Sequence, residues 1–418
     1  MPRALLIVSA AVALSLLGDQ MIYVVLPVVH ETVGVPIVWV GILLSANRWV
    51  RLVTNTLASV VVARWGRLWP FVLALFLGGL TTLAYGVVSG VGVFLIARLL
   101  WGTSWSFIRL EGLSTALDVA SEHTRGRYLG LYQSISRLGG AVAMLAGGIL
   151  HDLIGFRATF ILFGILTCTG AVVVYYERTR REARASATQG RNMAAAALEP
   201  QPSPVQATAA IDIDTTTRWR MAVASLNTFS NFLVTALVSA TLGYVLRQRF
   251  GTTITLDTWT IGVASVTGLV LSTKGFLDLA FAPVAGRLAD RWGRNCALLT
   301  AMPVAMLALG ALALQPPLWV LTLAVLVLYV ASTSLHVTLD AVASDIVPPG
   351  KRRAFLSLFV TWQDLGSATG PLLGYWIAPH FGLVGLYCCG VALLVLGTGL
   401  YLTTFVRSRQ PMPVNAGL

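Results

Sequence analysis

The 418-residue chain is 56% apolar and only 11% charged, with a mean hydropathy of +0.78. Soluble domains carry about a quarter charged residues, so composition excludes a soluble globular protein and points to the membrane. The net charge of +12 suits a nucleic-acid partner, but the placement of the charges argues against one.

Predominantly apolar stretches of roughly 20 residues or more mark membrane spans. In chain order they fall near 4–27, 37–62, 68–89, 92–116, 128–150, 158–176, 219–246, 258–285, 296–314, 318–344, 354–378 and 383–406. The predicted fold class is therefore an all-α membrane protein of twelve transmembrane helices. The first apolar stretch is long and contains Asp19, which argues against a cleavable signal peptide. With these spans, nineteen of the 29 Lys and Arg fall on the side of both termini, seven lie within spans, and three (Arg157, Arg247, Arg249) fall on the opposite side. That bias puts both termini in the cytoplasm and explains the basic charge as topology. Cys168, Cys388 and Cys389 lie within spans and Cys296 at a span end, positions that suit packing rather than a disulfide framework or a metal site.

The stretch 177–218 breaks the pattern. It opens on the basic run Glu177–Arg184, passes through Ala194–Ala197 and Pro200-Gln-Pro-Ser-Pro204, and ends at Asp212-Ile-Asp214. Such composition does not pack, so it reads as a largely disordered cytoplasmic linker. It divides a six-helix unit at 1–176 from a second at 219–406, with a cytoplasmic tail at 407–418. The units repeat each other. A shift of 227 residues aligns Ser45 with Ser272, Arg64-Trp-Gly-Arg67 with Arg291-Trp-Gly-Arg294, and Asp118 with Asp345. It also aligns Arg125 with Arg352, Gly139 with Gly366 and Gly147 with Gly374. One ungapped offset from the second span to the fifth is a repeat signal.

Between spans 8 and 9 stands Gly286-Arg-Leu-Ala-Asp290-Arg291-Trp-Gly293-Arg294. This sequence resembles the loop signature G-x-L-A-D-R-x-G-R of the major facilitator superfamily. The resemblance implies two pseudo-symmetric six-helix bundles moving a solute by alternating access. It assigns a cytoplasmic gate to Gly286, Asp290, Arg291, Gly293, Arg294, Asp118, Arg125, Asp345 and Arg352. The first-half loop, Ser59-Val-Val-Val-Ala63-Arg-Trp-Gly-Arg67, carries Ala63 where the carboxylate belongs. Arg98-Leu-Leu-Trp-Gly102 is similar to the family's R-x-x-x-G feature, linked in proton-coupled members to proton transfer. The glycine-proline motif of drug/proton antiporters is incomplete in span 5 and is approximated by Gly366-Ser-Ala-Thr-Gly370-Pro371-Leu-Leu-Gly374 in span 11.

Seven ionisable residues stand near mid-span: Asp19, Arg48, Arg51, Arg137, Lys274, Asp278 and Asp364. At about 3 kcal/mol each, facing lipid would cost on the order of 20 kcal/mol, so they must pair or face a hydrated cavity. Ser15, Asp19 and Tyr23 share a face of span 1, as Asn227, Asn231 and Thr235 do on span 7, and both faces are expected to line that cavity. Asn47 and Arg51 align with Lys274 and Asp278, and Arg137 aligns with Asp364, suggesting an Arg137–Asp364 pair between the bundles. Asp19, Asp278 and Asp364 are candidate coupling carboxylates. Arg48, Arg51, Arg137, Asn47, Asn227, Asn231 and Lys274 are candidate substrate contacts, and Arg98, His336 and Asp340 are candidate proton-relay residues.

The expected function is a secondary transporter of a small organic solute in the cell inner membrane, coupled to protons and biased to export, acting as a monomer without a cofactor or nucleic acid. No nucleotide-binding loop and no hydrolase or metal-helix motif stands in the sequence, so an enzyme is not expected. Import of an organic anion or zwitterion, or a non-transporting receptor or assembly component, is the alternative.

Overall fold

A computed structural model describes residues 2–121, 124–192, 215–256, 259–347 and 352–406. Eleven of its helices are long and apolar enough to cross a membrane. They are α1 (Arg3–Val29), α2 (Ile37–Trp65), α3 (Leu68–Val87), α4 (Val91–Asp118), α5 (Arg125–Ile154), α6 (Phe156–Asn192), α7 (Thr215–Phe250), α8 (Val263–Trp292), α9 (Arg294–Ala313), α10 (Leu318–Ile346) and α11 (Arg352–Tyr401). The last is broken at Gly382, where φ is 70°, so its arms 352–381 and 383–401 supply the eleventh and twelfth spans. A turn of π-helix, Leu402–Val406, ends the described chain.

The predicted spans match these helices, with two corrections. Span 8 begins at Val263, not near 258. Thr253–Leu256 and Trp259–Gly262 instead pair as an antiparallel hairpin, β1 and β2, with Thr253 opposite Gly262. Thr, Ile and Trp favour strands, and their low polarity disguised the hairpin as the start of a span. The predicted linker is also partly helical: α6 continues from the membrane to Asn192 and α7 starts at Thr215. An ion pair anchors the start of that extension, Arg178 to Glu111 of α4. The remaining linker, 193–214, and the tail, 407–418, lie outside the described residues.

The repeat appears in the geometry. Gly66 and Gly293, at φ 79° and 85°, occupy the left-handed region at the ends of α2 and α8, so the glycine of each Arg-Trp-Gly-Arg makes the turn into the next helix. The next arginines then do the same thing in each half. Arg67 Nη1 donates to Asp118 Oδ2 at 2.5 Å, and Arg294 pairs with Asp345. The aligned glycines serve close packing. A Cβ on Gly147 of α5 would come within 2.7 Å of Met21 Cγ on α1, and one on Gly374 of α11 within 2.8 Å of Thr241 Cγ2 on α7.

One large apolar cluster runs through both bundles and a smaller one, around Leu5, Val12, Phe71 and Ile108, lies within the first; α1, α2 and α5 carry the first bundle's contact with α7, α8 and α11 of the second. Up-and-down threading puts the ends of α4 and α10 on the side of the chain termini (the terminal side). The ends of α1, α5 and α7 lie on the far side.

Candidate functional site

A cavity of about 300 Å³ lies between the bundles, lined by α1, α4, α5, α7 and α8. A second, of about 590 Å³, lies next to it towards the terminal side, lined by α4, α5, α10 and α11. Trp105, Ser136 and Arg137 line both and form the neck between them. Apolar walls come from Leu16, Met144 and Leu271 in the first cavity and Leu113, Phe359 and Val360 in the second. Spaces of this size suit a small organic ligand.

Of the predicted site residues, Arg137, Lys274, Asp278, His336 and Asp340 line these cavities. Lys274 Nζ donates to Asp278 Oδ1 at 2.5 Å, and Thr333 Oγ1 donates to the same oxygen at 2.6 Å. Gln363 Nε2 donates to Asp340 Oδ1 at 3.0 Å, while His336 Nδ1 stands 3.7 Å from Asp340 Oδ2. Arg137 makes no ion pair or hydrogen bond among the described residues. Beside it, Ser136 Oγ is buried without a hydrogen-bond partner, as is His336 Nδ1.

The expected Arg137–Asp364 pair does not form. Asp364 stands instead 3.7 Å from Arg51 Nη2 and 3.8 Å from Arg109 Nη1, bridging α11 to α2 and α4. The shift of 227 matches positions within the two halves, but α5 packs against α1 and α8, which carries Arg137 away from α11.

Asp19, Asn47 and Arg98 are buried inside the first bundle, not on its cavity face. Arg98, fully buried, donates from Nη1 to Asp19 Oδ1 at 2.6 Å, from Nη2 to Tyr23 Oη at 3.2 Å and from Nε to the Leu43 carbonyl at 2.9 Å. Asn47 Nδ2 completes the cluster on Asp19 Oδ1 at 3.0 Å. Arg48 lies at its edge, Nε 3.4 Å from Tyr23 Oη. Asn227 and Asn231 are also buried. Asn227 Nδ2 bonds the carbonyl of Val223 one turn back, and Asn231 Nδ2 that of Ser332 on α10. These polar groups satisfy one another, so the four-residue spacing that suggested a cavity wall here builds helix contacts instead.

The predicted gate is not assembled. Asp118, Arg294 and Asp345 pair within their own bundles, and Asp290, Arg291 and Arg125 are exposed without ion pairs among the described residues. The side chain of Arg352 lies outside the described residues. Glu111, buried near the end of α4, takes Arg67 at 2.8 Å and also Arg178. Every ion pair near this side, among the described residues, is within a bundle. On the far side the bundles meet closely: a Cβ on Gly148 of α5 would collide with the Ala264 carbonyl of α8. Asp152 accepts from the Ser265 backbone N–H at 2.7 Å and from its hydroxyl at 2.5 Å, capping α8 from the other bundle. Arg247 pairs with Glu31 at 2.8 Å across the same interface.

Sequence reasoning missed Gln20, Gln133, Ser136, Ser239 and Gln363 as lining residues. Their only signal is adjacency: Gln20, Ser136 and Gln363 each neighbour a flagged charge.

The Major Facilitator Superfamily profile matches twice, over residues 8–244 and 224–417. The chain belongs to this superfamily. It is a multi-pass membrane transporter with two pseudo-symmetric bundles. It is 24% identical over 342 residues to the multidrug resistance protein MdtG of Salmonella paratyphi B, covering 78% of this chain and 75% of that one. It is 27% identical over 161 residues to an uncharacterized MFS-type transporter of Methanocaldococcus jannaschii, covering 38% of this chain and only 42% of the relative. Its fold matches a bacterial homologue of the human lysosomal transporter Spinster, solved inward-facing and occupied, with a TM-score of 0.74 at 14% identity over 96% of both chains. It also matches the nucleoside transporter NupG, with a TM-score of 0.73 at 11% identity over 96% of this chain and 100% of that one.

Proposed function

We propose that this chain is a proton-coupled secondary transporter that exports a small organic solute by alternating access, and not an enzyme. The observation that carries the reading is the pair of joined cavities between the bundles, walled by apolar side chains and holding the carboxylates Asp278 and Asp340. A carboxylate reached by water in such a cavity binds and releases a proton as the cavity changes sides. Asp340 is the first candidate, because among the described residues no cation lies within ion-pair distance except the imidazole of His336. Asp278, clamped by Lys274 and Thr333, is the second. Export is favoured by the similarity to a multidrug resistance protein. The positive-inside bias supports an inner-membrane location with both termini cytoplasmic, and one chain supplies the whole pathway, so a monomer suffices.

The arrangement is that of a carrier shut on the far side by Asp152–Ser265, Gly148 and Glu31–Arg247, with its terminal-side gate charges apart. The test is a proteoliposome screen of small organic solutes under imposed pH gradients of either sign. A solute accumulated by wild type should not be accumulated by Asp340→Asn or Asp278→Asn, while exchange across equal pH persists. Accumulation that survives in both variants, or that ignores collapse of the gradient, refutes proton coupling through these groups.

A further inference from the structure

The neck between the two cavities gathers polar groups that the fold leaves unsatisfied. Among the described residues, Arg137 presents a guanidinium without an ion pair or hydrogen bond, Ser136 Oγ is buried without a hydrogen-bond partner, and His336 Nδ1 makes no hydrogen bond and stands 3.7 Å from Asp340 Oδ2 in the adjoining cavity. Other charges around the cavities are engaged: Lys274 with Asp278, Arg51 and Arg109 with Asp364, Asp340 with Gln363. Native interiors rarely leave such groups unmet, and a cavity that concentrates them is shaped for something absent. An arginine with five donors in a planar fork matches a carboxylate or another planar or tetrahedral oxyanion, and rejects a cation.

The surroundings give the rest of the ligand. Trp105 lines both cavities and is stacked on the buried Trp101, with centroids 5.5 Å apart and planes inclined by 12°, which fixes its ring beside Arg137. Leu16, Gly140, Ala141, Met144 and Leu271 continue an apolar wall beyond it. Arg48, Arg51, Arg109, Arg137 and Lys274 outnumber Asp278, Asp340 and Asp364 around this region, so the field of the site also draws anions.

We propose that the neck of Trp105, Ser136 and Arg137 is the headgroup subsite for an amphipathic organic anion, its oxyanion held by Arg137 and Ser136 and its apolar body lying against Trp105 and the Leu16–Met144–Leu271 wall. This rests on the transporter reading above and gives it a substrate class. Arg137 is then a specificity-determining residue, setting the sign of the ligand's charge.

The test uses full-length protein in detergent and three probes that share one apolar body: naphthylacetate, naphthylacetamide and naphthylmethylammonium. Ligand-induced thermal stabilisation reads the affinity of each. Naphthylacetate should bind at least about tenfold more tightly than the amide, and the cation should not bind, as expected when a charge-assisted hydrogen-bonded contact is present or lost. Arg137→Gln should abolish the preference for the anion, Arg137→Lys should keep part of it, and Trp105→Ala should weaken the anion and the amide together. If Arg137→Gln folds poorly, Ser136→Ala gives a second measurement, expected to weaken the anion and leave the amide unchanged. Equal binding of the three probes, preference for the cation, binding of none, or an Arg137→Gln variant with wild-type discrimination overturns the proposal. Because binding needs no gradient, it fails independently of transport: an anion that binds with this preference but is never moved in proteoliposomes refutes the transporter reading and leaves the subsite standing.

Discussion

Asp364 is the residue whose removal most directly tests how the bundles are joined. Its carboxylate lies 3.7 Å from Arg51 and 3.8 Å from Arg109, so one anion on α11 faces two cations on α2 and α4. At an effective dielectric of about 20, each pair at this distance attracts by about 4 kcal/mol. Screening reduces that, since the Asp364 side chain is 21% exposed and that of Arg109 is 39% exposed. We expect a coupling of about 1–2 kcal/mol for Arg51–Asp364 and less for Arg109–Asp364. Asp364→Asn leaves both arginines close together without their anion, and should cost about 2–4 kcal/mol, towards the low end of what truncating a buried pair costs. The assay is a double-mutant cycle read by equilibrium SDS unfolding in mixed micelles, using Asp364→Asn with Arg51→Gln and, as a parallel cycle, with Arg137→Gln. The Arg51 cycle should be non-additive and the Arg137 cycle additive within about 0.5 kcal/mol. Additivity with Arg51, or coupling with Arg137 as large as with Arg51, would refute the geometry described above.

Other expectations concern the two gates. Asp290 is exposed and makes no ion pair among the described residues, so Asp290→Asn should leave stability within about 0.5 kcal/mol of wild type; it should deplete the state closed on the terminal side, seen as longer spin-label distances between the ends of α2 and α8 and those of the opposing bundle. On the far side, Asp152→Ala removes a cap on α8 worth about 0.5–2 kcal/mol, and should raise the population open on that side by roughly 2- to 30-fold; far-side spin-label distances identical to wild type would exclude the latch. Gly148→Val should do the same more strongly, because its side chain meets the Ala264 backbone rather than a movable side chain.

Much of the fold was legible because the membrane imposes it. Lipid forces long uncharged helices, and the 227-residue repeat fixed which helices are equivalent, down to the Arg67–Asp118 and Arg294–Asp345 pairs. The hairpin at 253–262 was not legible, because apolar strand residues next to a span resemble more span. The helical extension to Asn192 was obscured by a polar composition that suggests disorder, whereas Arg178 closes on Glu111 at its start. The site was legible only as a pool of candidates. Charges at mid-span announce that something must satisfy them, but the partner depends on which helices touch. Arg137 and Asp364 are equivalent in sequence and sit on helices facing different neighbours, so equivalence did not become contact.

The two bundles use equivalent positions for different ends. Arg98 on α4 reaches Asp19, Tyr23 and the Leu43 carbonyl, closing a buried polar cluster with Asn47. Its counterpart under the 227 shift is Val325, fully buried and apolar. Without that arginine, Lys274, the equivalent of Asn47, pairs with Asp278 on its own helix and faces the cavity. The carboxylates of the two halves should therefore fail differently. Asp19→Asn leaves the fully buried Arg98 guanidinium without its anion, a loss of about 3–5 kcal/mol set against a total stability of about 5–15 kcal/mol. That variant should be depleted from membranes before transport can be assayed. Asp278→Asn leaves Lys274 with Thr333 at 3.3 Å and the hydrated cavity, so it should reach the membrane at near wild-type yield and lose gradient-driven accumulation. Membrane yield by size-exclusion fluorescence, measured beside accumulation in proteoliposomes, separates the two outcomes. An Asp19→Asn protein with full yield and no accumulation would transfer the coupling role to the first bundle and contradict the division drawn here.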